Sequence, residues 1–319
     1  AVYFVCSPSA VSHSPVLLDE CMGFLDPCRG GSFADLTFGG GGHSRKILEA
    51  SPNVRLLSMD CDPDAKIRAG NLESAYGDRF RFVDSDFQSI DQYSGAQEFD
   101  GVLMDLGISS FQLMEAAKGF SFRLDAPIDM RLNPRVGQSA ADFLETASRE
   151  SLVRAVREYG EERRWSRVVN AIVDARGTGK LQRTLSAAEL VTQAVGGVRA
   201  RQRIHPATKT FQGVRIAING ELEALAMTLP KVFRALKPGG MLAVISFHSL
   251  EDRIVKRFMR KMSGRPQHRG DRSFVAERTA YAEMVQSKAI FPRKDEVESN
   301  PKSRSARLRV LKKIRHPEF

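Results

Sequence analysis

The stretch Asp35-Leu-Thr-Phe-Gly39-Gly40-Gly41-Gly42-His43-Ser44 decides how this chain is read. It follows an apolar run of strand length, 32–37 (SFADLT), and opens a helical pattern over 42–50. Consecutive glycines let backbone approach a ligand closely and permit positive φ angles that other residues resist. In a doubly wound sheet the carboxyl end of the first strand faces the ligand crevice. Asp60 ends a second run, 54–60 (VRLLSMD), where a carboxylate reaches ribose hydroxyls. Loop and carboxylate together point to a nucleoside-containing cofactor. The loop departs from the GxGxxG of dinucleotide sites, because Ser44 stands in place of its last glycine. A glycine-rich turn without a ligand is the alternative reading.

Outward from this loop, short apolar runs alternate with helical patterns, which predicts parallel βαβ units. Runs at 32–37, 54–60, 79–84 and 99–106 read as the first four strands, with crossover helices over 42–50 and 63–74. Pro63 suits the first turn of the second helix. From 112 to 205 the alternation gives way to charged helical patterns at 139–147, 149–158, 161–175 and 186–195. Residues 207–236 read as one long helix, 237–240 (KPGG) as a turn, 241–247 (MLAVISF) as a buried strand and 250–262 as a helix. Two late runs, 289–292 and 306–311, are expected to close the sheet, and 264–278 reads as a flexible loop. The expected fold is α/β: a Rossmann-like doubly wound sheet with an inserted helical domain. Residues 1–111 form the first part of the core, 112–206 the insertion, and 207–319 the second part of the core with a basic C-terminal segment.

Composition narrows the function classes. The 319 residues are 42% hydrophobic and 27% charged, which excludes a disordered tail and a collagen-like repeat. No run of 18 apolar residues occurs, so no membrane span is expected. The opening AVYFVCSPSA lacks the basic start of a secretory signal. Cys6, Cys21, Cys28 and Cys61 form no CxxC pair and read as free thiols of a cytoplasmic protein. No histidine–cysteine ligand spacing and no GxSxG elbow is present, so neither a metal nor a serine hydrolase is expected. The formal charge is +10; residues 1–250 hold 29 basic and 29 acidic side chains, residues 251–319 hold 19 and 9. A neutral body with a cationic end suits a polyanion, whose counterions each bound cation releases. A solvated charged surface gives the same pattern.

Further carboxylates sit where strands should end. Asp84 and Asp86, with Phe87, follow the third strand, and Asp105 closes the fourth. Acidic groups at the ends of three successive parallel strands gather negative charge at one sheet edge. Such an edge resists a pyrophosphate and favours a cation. S-adenosylmethionine, with its sulfonium and ammonium, suits it better than NAD. Helix capping by the same aspartates is the competing reading.

With these segments in view, the sequence closely resembles the MraW-like family, the ribosomal RNA small subunit methyltransferase H enzymes. The matching stretches are 13–17 (HSPVL), 35–44, 60–63, 105–113, 118–122 (KGFSF), 127–131 (PIDMR), 159–163 (YGEER), 205–212 (HPATKTFQ), 245–253 (ISFHSLEDR) and 300–309 (NPKSRSARLR). The resemblance implies S-adenosylmethionine-dependent methylation of the exocyclic amine (N4) of one cytosine in the decoding region of small-subunit ribosomal RNA. It also implies a Rossmann-like methyltransferase core with an inserted helical domain. The family's cofactor contacts fall on Gly41, Gly42, His43, Asp60, Phe87, Asp105 and Gln112. Gly40, Met114 and Lys118 depart from the family's pattern, and Gly40 is expected to loosen the loop.

Methyl transfer from a sulfonium is an in-line displacement, so alignment is the main demand. Cytosine's amine shares its lone pair with the ring, and an acceptor for its N–H helps localise that pair and takes the proton. Asp105 is placed first as a cofactor ligand and second as the group orienting the amine. His248, in 246–249 (SFHS), is the other catalytic candidate, with a helix-start residue as the alternative. Phe247 or Phe120 would stack on an extruded cytosine, unless each is core packing. Arg304 and Arg307 are expected RNA contacts beside Phe247, and residues 159–163, Arg199, Arg201 and Arg203 are further ones. The partner is small-subunit ribosomal RNA or the assembled subunit; the oligomeric state stays open, a homodimer included. A non-catalytic RNA-binding or assembly factor and an NAD-dependent dehydrogenase are the alternative functions.

Overall fold

The computed structural model describes residues 15–94, 98–198, 204–268, 270–271 and 278–317. Five parallel strands, β1 (Gly31–Asp35), β2 (Val54–Asp60), β3 (Phe80–Asp84), β4 (Phe99–Asp105) and β5 (Leu236–Ser246), form the body of one sheet. β6 (Ala282–Met284) and β7 (Arg307–Lys313) complete it in the order β3-β2-β1-β4-β5-β7-β6, with β7 antiparallel to both neighbours. The Rossmann-like doubly wound fold expected from the sequence is therefore present. Its strands are near-continuous apolar runs because helices cover both faces.

Alternate side chains of each strand supply the two faces. On one, Phe33, Leu56 and Leu103 meet Cys21 and Leu25 of α1 (Leu18–Leu25), Ile47 and Leu48 of α2 (Gly42–Ala50) and Leu72 of α3 (Pro63–Tyr76). On the other, Ala34, Leu57, Val102 and Met104 meet Ile90 of α4 (Ile90–Ser94) and two helices that follow the insertion. After β4 the chain forms α5 (Ser110–Met114) and enters a bundle of α6 (Ala140–Thr146), α7 (Arg149–Val153), α8 (Trp165–Asp174), α9 (Thr184–Ala194) and α10 (Thr208–Asn219). Phe143, Leu152, Val168, Ile172 and Val191 build an apolar cluster of its own there, and Phe211 and Val214 carry that cluster past residue 206 into α10. Next come α11 (Glu221–Ala235) and α12 (Ser249–Met262) on the sheet, and α13 (Lys294–Ser299) before β7.

Several expectations are corrected. Residues 207–236 form two helices, because Gly220 adopts φ 59° and terminates α10. Asn219 fixes the break, accepting from the Leu132 N–H and donating to the Met130 carbonyl. The KPGG segment lies inside β5, where Gly239 (φ 88°) accompanies a register shift against β4. Residues 289–292 contribute only the bridge between Ile290 and Leu308; Pro292 has no N–H for a ladder, and β6 is the outer strand. The basic C-terminal segment is partly structural. Lys313 is fully buried and donates to the Leu236 carbonyl, and Arg309 forks the Asp252 carboxylate. Cys21, Cys28 and Cys61 are free thiols, while Cys6 lies outside the described residues, as do 269 and 272–277 of the expected loop. Among the described residues no helix is long and apolar enough to cross a membrane.

Phe99 opens β4 with no exposed surface and packs against Leu236 and Phe233 in the core. Phe99→Ala is expected to lower stability by about 3–5 kcal/mol, read as a shift of the urea midpoint at unchanged slope.

Candidate active site

The strand order reverses between β1 and β4, and the crevice outside their carboxyl ends is where such sheets bind ligands. Aspartates end four of these strands: Asp35, Asp60, Asp84 and Asp105. Their neighbours give each a different fate. Asp35 is buried; its Oδ2 accepts from Ser44 Oγ at 2.6 Å and its Oδ1 from the Thr37 N–H, which ties the start of α2 to β1. Asp84 is forked by Arg135 at 2.9 and 2.5 Å, and this pairing holds its carboxyl below the usual range. Asp62 and Asp86 cap the helical turns that follow them. Of the strand-end acids singled out in the sequence, the capping alternative thus holds for Asp86, and the unpaired carboxylates occupy a smaller place than the sequence suggested.

That place is a cavity of about 590 Å³, within the range of small-molecule sites. Gly42, His43, Asp60, Phe87, Asp105 and Gln112 all line it. Gly41 does not; it holds the αL turn (φ 75°) that starts α2, and the Phe38 ring lies where a Cβ would be. At Gly40, Phe111 occupies the space where a Cβ would be, and Arg68 stacks over that ring at 4.7 Å while donating to the Gly39 carbonyl.

Asp60 accepts the Gly39 N–H at 2.7 Å and the Asp62 N–H at 2.9 Å on separate oxygens. Each oxygen keeps a lone pair for a hydroxyl donor. Burial pushes its pKa up to about 6 against the pull of those two bonds. Burial also depresses His43 to about 4, so its ring is neutral and its Nε2–H donates to the Val16 carbonyl. Among the described residues Asp105 receives no hydrogen bond at its buried Oδ1, and its Oδ2 lies 3.8 Å from His43 Nδ1. Desolvation first, then Asp35 and Glu251, drive its pKa well above the ordinary carboxylate value. Gln112 sits in a capping box with Ser109 at the start of α5.

The other candidates divide. Phe247 lines the cavity, whereas Phe120 belongs to the core of the insertion. His248 is the N-cap of α12, its imidazole tied to Glu251, and it is not among the cavity-lining residues. Arg307 pairs with Asp252 at 3.5 Å, while Arg304 is exposed. Arg199, Arg201 and Arg203 lie outside the described residues. Sequence spacing missed a cluster of Glu221, His248 and Glu251, whose carboxylates are engaged: Arg215 forks Glu221, and Glu251 accepts from the Phe247 N–H. It also missed Asn300 and Lys302 in the cavity wall, although both stand in the 300–309 stretch already singled out.

The family model described as "MraW methylase family" matches residues 10–314. The chain belongs to that family. Relatives named "Ribosomal RNA small subunit methyltransferase H" include one from Cereibacter sphaeroides (strain ATCC 17029 / ATH 2.4.9), 46% identical over 93% of this chain and 89% of its own. One from Thermomicrobium roseum is 42% identical over 97% and 96%, and one from Nitrosococcus oceani 44% over 95% and 97%. An MraW methylase is an S-adenosylmethionine-dependent enzyme, and membership sets aside both the dehydrogenase and the non-catalytic alternative. The residues present fit that donor: among the described residues the buried Oδ1 of Asp105 has no partner and would be open to a positively charged ligand, and Asp60 keeps acceptor capacity for hydroxyls.

A raised carboxyl pKa sets a testable sign. Hydroxyl donors favour ionised Asp60, so donor affinity is expected to fall as pH drops through about 6 and to level off above it. In the free protein, the same raised value contributes stability below about pH 4 that is lost as pH rises through about 6. Calorimetric titration between about pH 5 and 8 checks this, with Asp60→Asn expected to bind more weakly and to lack the step near 6.

Proposed function

We propose that this MraW-family methylase modifies the N4 amine of a cytosine in the decoding region of small-subunit ribosomal RNA. The observation that carries the reading is the buried, unpartnered Oδ1 of Asp105, at the end of β4 in the cavity beside the glycine loop. The names of the relatives support the RNA substrate.

When bound, S-adenosylmethionine supplies a methyl group made electrophilic by the sulfonium. Asp60 and Phe87 would hold its nucleoside, and Gly42, His43 and Gln112 would line its remaining length. Asp105 accepts an N–H of the incoming cytosine amine, turns the lone pair toward the methyl group and takes the proton as the new bond forms. Phe247, in the same wall, offers a ring on which the extruded base stacks. Residues 112–206 act as a domain that walls the cavity, to which Leu132 contributes. Arg157, Tyr159, Arg163 and Trp165, together with Glu158, Glu161 and Glu162, line an open groove with Arg253 of α12, which we assign as a path for the flanking RNA.

Incubation with labelled S-adenosylmethionine and undermodified small subunits or naked ribosomal RNA, followed by mapping of the labelled nucleotide, tests the reading. A label on any other base or atom overturns it. Asp105→Asn is expected to lower kcat by about 10²–10⁴-fold in the same assay while RNA affinity stays near that of the unmodified protein.

A further inference from the structure

We infer that Lys302 is the anion contact of this cavity and takes a backbone phosphate of the RNA beside the base to be methylated. The inference rests on the function proposed above and names the part of its substrate that this residue grips. Lys302 belongs to the short 3-10 turn Pro301–Ser305, which leads into β7. It forms part of the cavity wall, yet its Nζ is covered and has no hydrogen-bond partner among the described residues. A covered ammonium ordinarily has an acceptor, so one left without points to an acceptor that arrives from outside.

Its surroundings sharpen the point. The charge that acts on Lys302 most directly is Arg123, another cation, which with burial holds the amine below its usual pKa. Neither Lys302 nor Arg123 has a carboxylate within ion-pair distance among the described residues. Lys118, one turn of chain earlier than Arg123, is by contrast fully spent on Asp62, Asp64 and Glu115. Two uncompensated cations where the insertion meets the core form a complement for an anion.

Sheet order says which anion. β2 and β3, which carry Asp60 and lead to Phe87, lie on one side of β4; β5 and β7, which lead to Phe247 and follow Lys302, lie on the other. The donor's nucleoside belongs with Asp60, so Lys302 stands on the acceptor's side of Asp105. A nucleotide drawn from its stack brings a phosphate on each flank, and lysine binds phosphate as a point charge. The methionine carboxylate of the donor is the other anion of the same chemistry, and the experiment separates the two.

Lys302→Gln, Lys302→Arg and the exposed Arg123→Gln are compared in two titrations. One measures S-adenosylmethionine affinity by calorimetry. The other measures binding of undermodified small-subunit ribosomal RNA between about 50 and 200 mM salt. Lys302→Gln is expected to bind the donor as the unmodified protein does, to bind RNA about tenfold more weakly, and to lose about one unit of the salt slope. Lys302→Arg restores the slope, and Arg123→Gln reproduces part of its loss. Weakened donor binding with an unchanged salt slope overturns the proposal in favour of the donor's carboxylate. An unchanged slope in Lys302→Gln overturns it outright, and if that variant does not fold, an unchanged slope in Arg123→Gln does the same. Failure of the unmodified protein to bind the donor counts against the function proposed above and leaves the RNA titration readable on its own.

Discussion

Three carboxylates, Asp35 buried and Asp60 and Asp105 half-buried, at the carboxyl ends of β1, β2 and β4 set the terms for the rest of the molecule. Taking a carboxylate out of water is costly unless hydrogen bonds replace the lost hydration. Asp35 and Asp60 receive theirs from the loop between β1 and α2 and from the turn after β2, so their burial dictates the path of those segments. Asp105 receives only partial compensation. The same demand therefore shapes the loop and leaves one oxygen waiting for a ligand.

The insertion answers the other acids of this edge. Lys118 reaches back to Asp62 and Asp64, and Arg135 reaches Asp84 and the Cys61 carbonyl. Residues 118–135 are thereby fastened across the ends of β2 and β3, while Leu132 forms part of the cavity wall. Because these cations pair with the outer aspartates, Asp105 is the strand-end carboxylate left with an unpartnered oxygen among the described residues. Folding of the insertion and polarity of the site are thus one electrostatic problem.

Much of this is legible in the amino-acid sequence. Runs such as VRLLSMD mark strands because a sheet covered on both faces needs apolar side chains on both, and β2 and α2 carry the expected boundaries. The glycine loop and the carboxylates of Asp60 and Asp105 stood out because they are sequence-local to strand ends. What escaped depends on contacts distant in the chain. The break at Gly220 is fixed by Asn219 bonding to backbone at Met130 and Leu132, and a helical pattern alone does not reveal it. His248 looked catalytic from its place after β5, but Glu251 one turn on makes it a cap. Arg307 reads as free for RNA in the sequence, and Asp252 of α12 stands beside it in the fold. Lys302 escaped for the opposite reason: a lysine in a basic run gives no hint that its ammonium is covered.

β7 lies between β5 and β6, although residues 307–313 are the last of the seven strands along the chain. A ribosome delivers this sequence from its amino end, so β5 stays an open edge until residues 307–313 have emerged. The turn with Asn300 and Lys302 docks with that final strand, and the cavity has its full wall only then. A nascent chain therefore carries the glycine loop and Asp105 early yet cannot present a finished pocket, which ties the closing of that pocket to the arrival of β7.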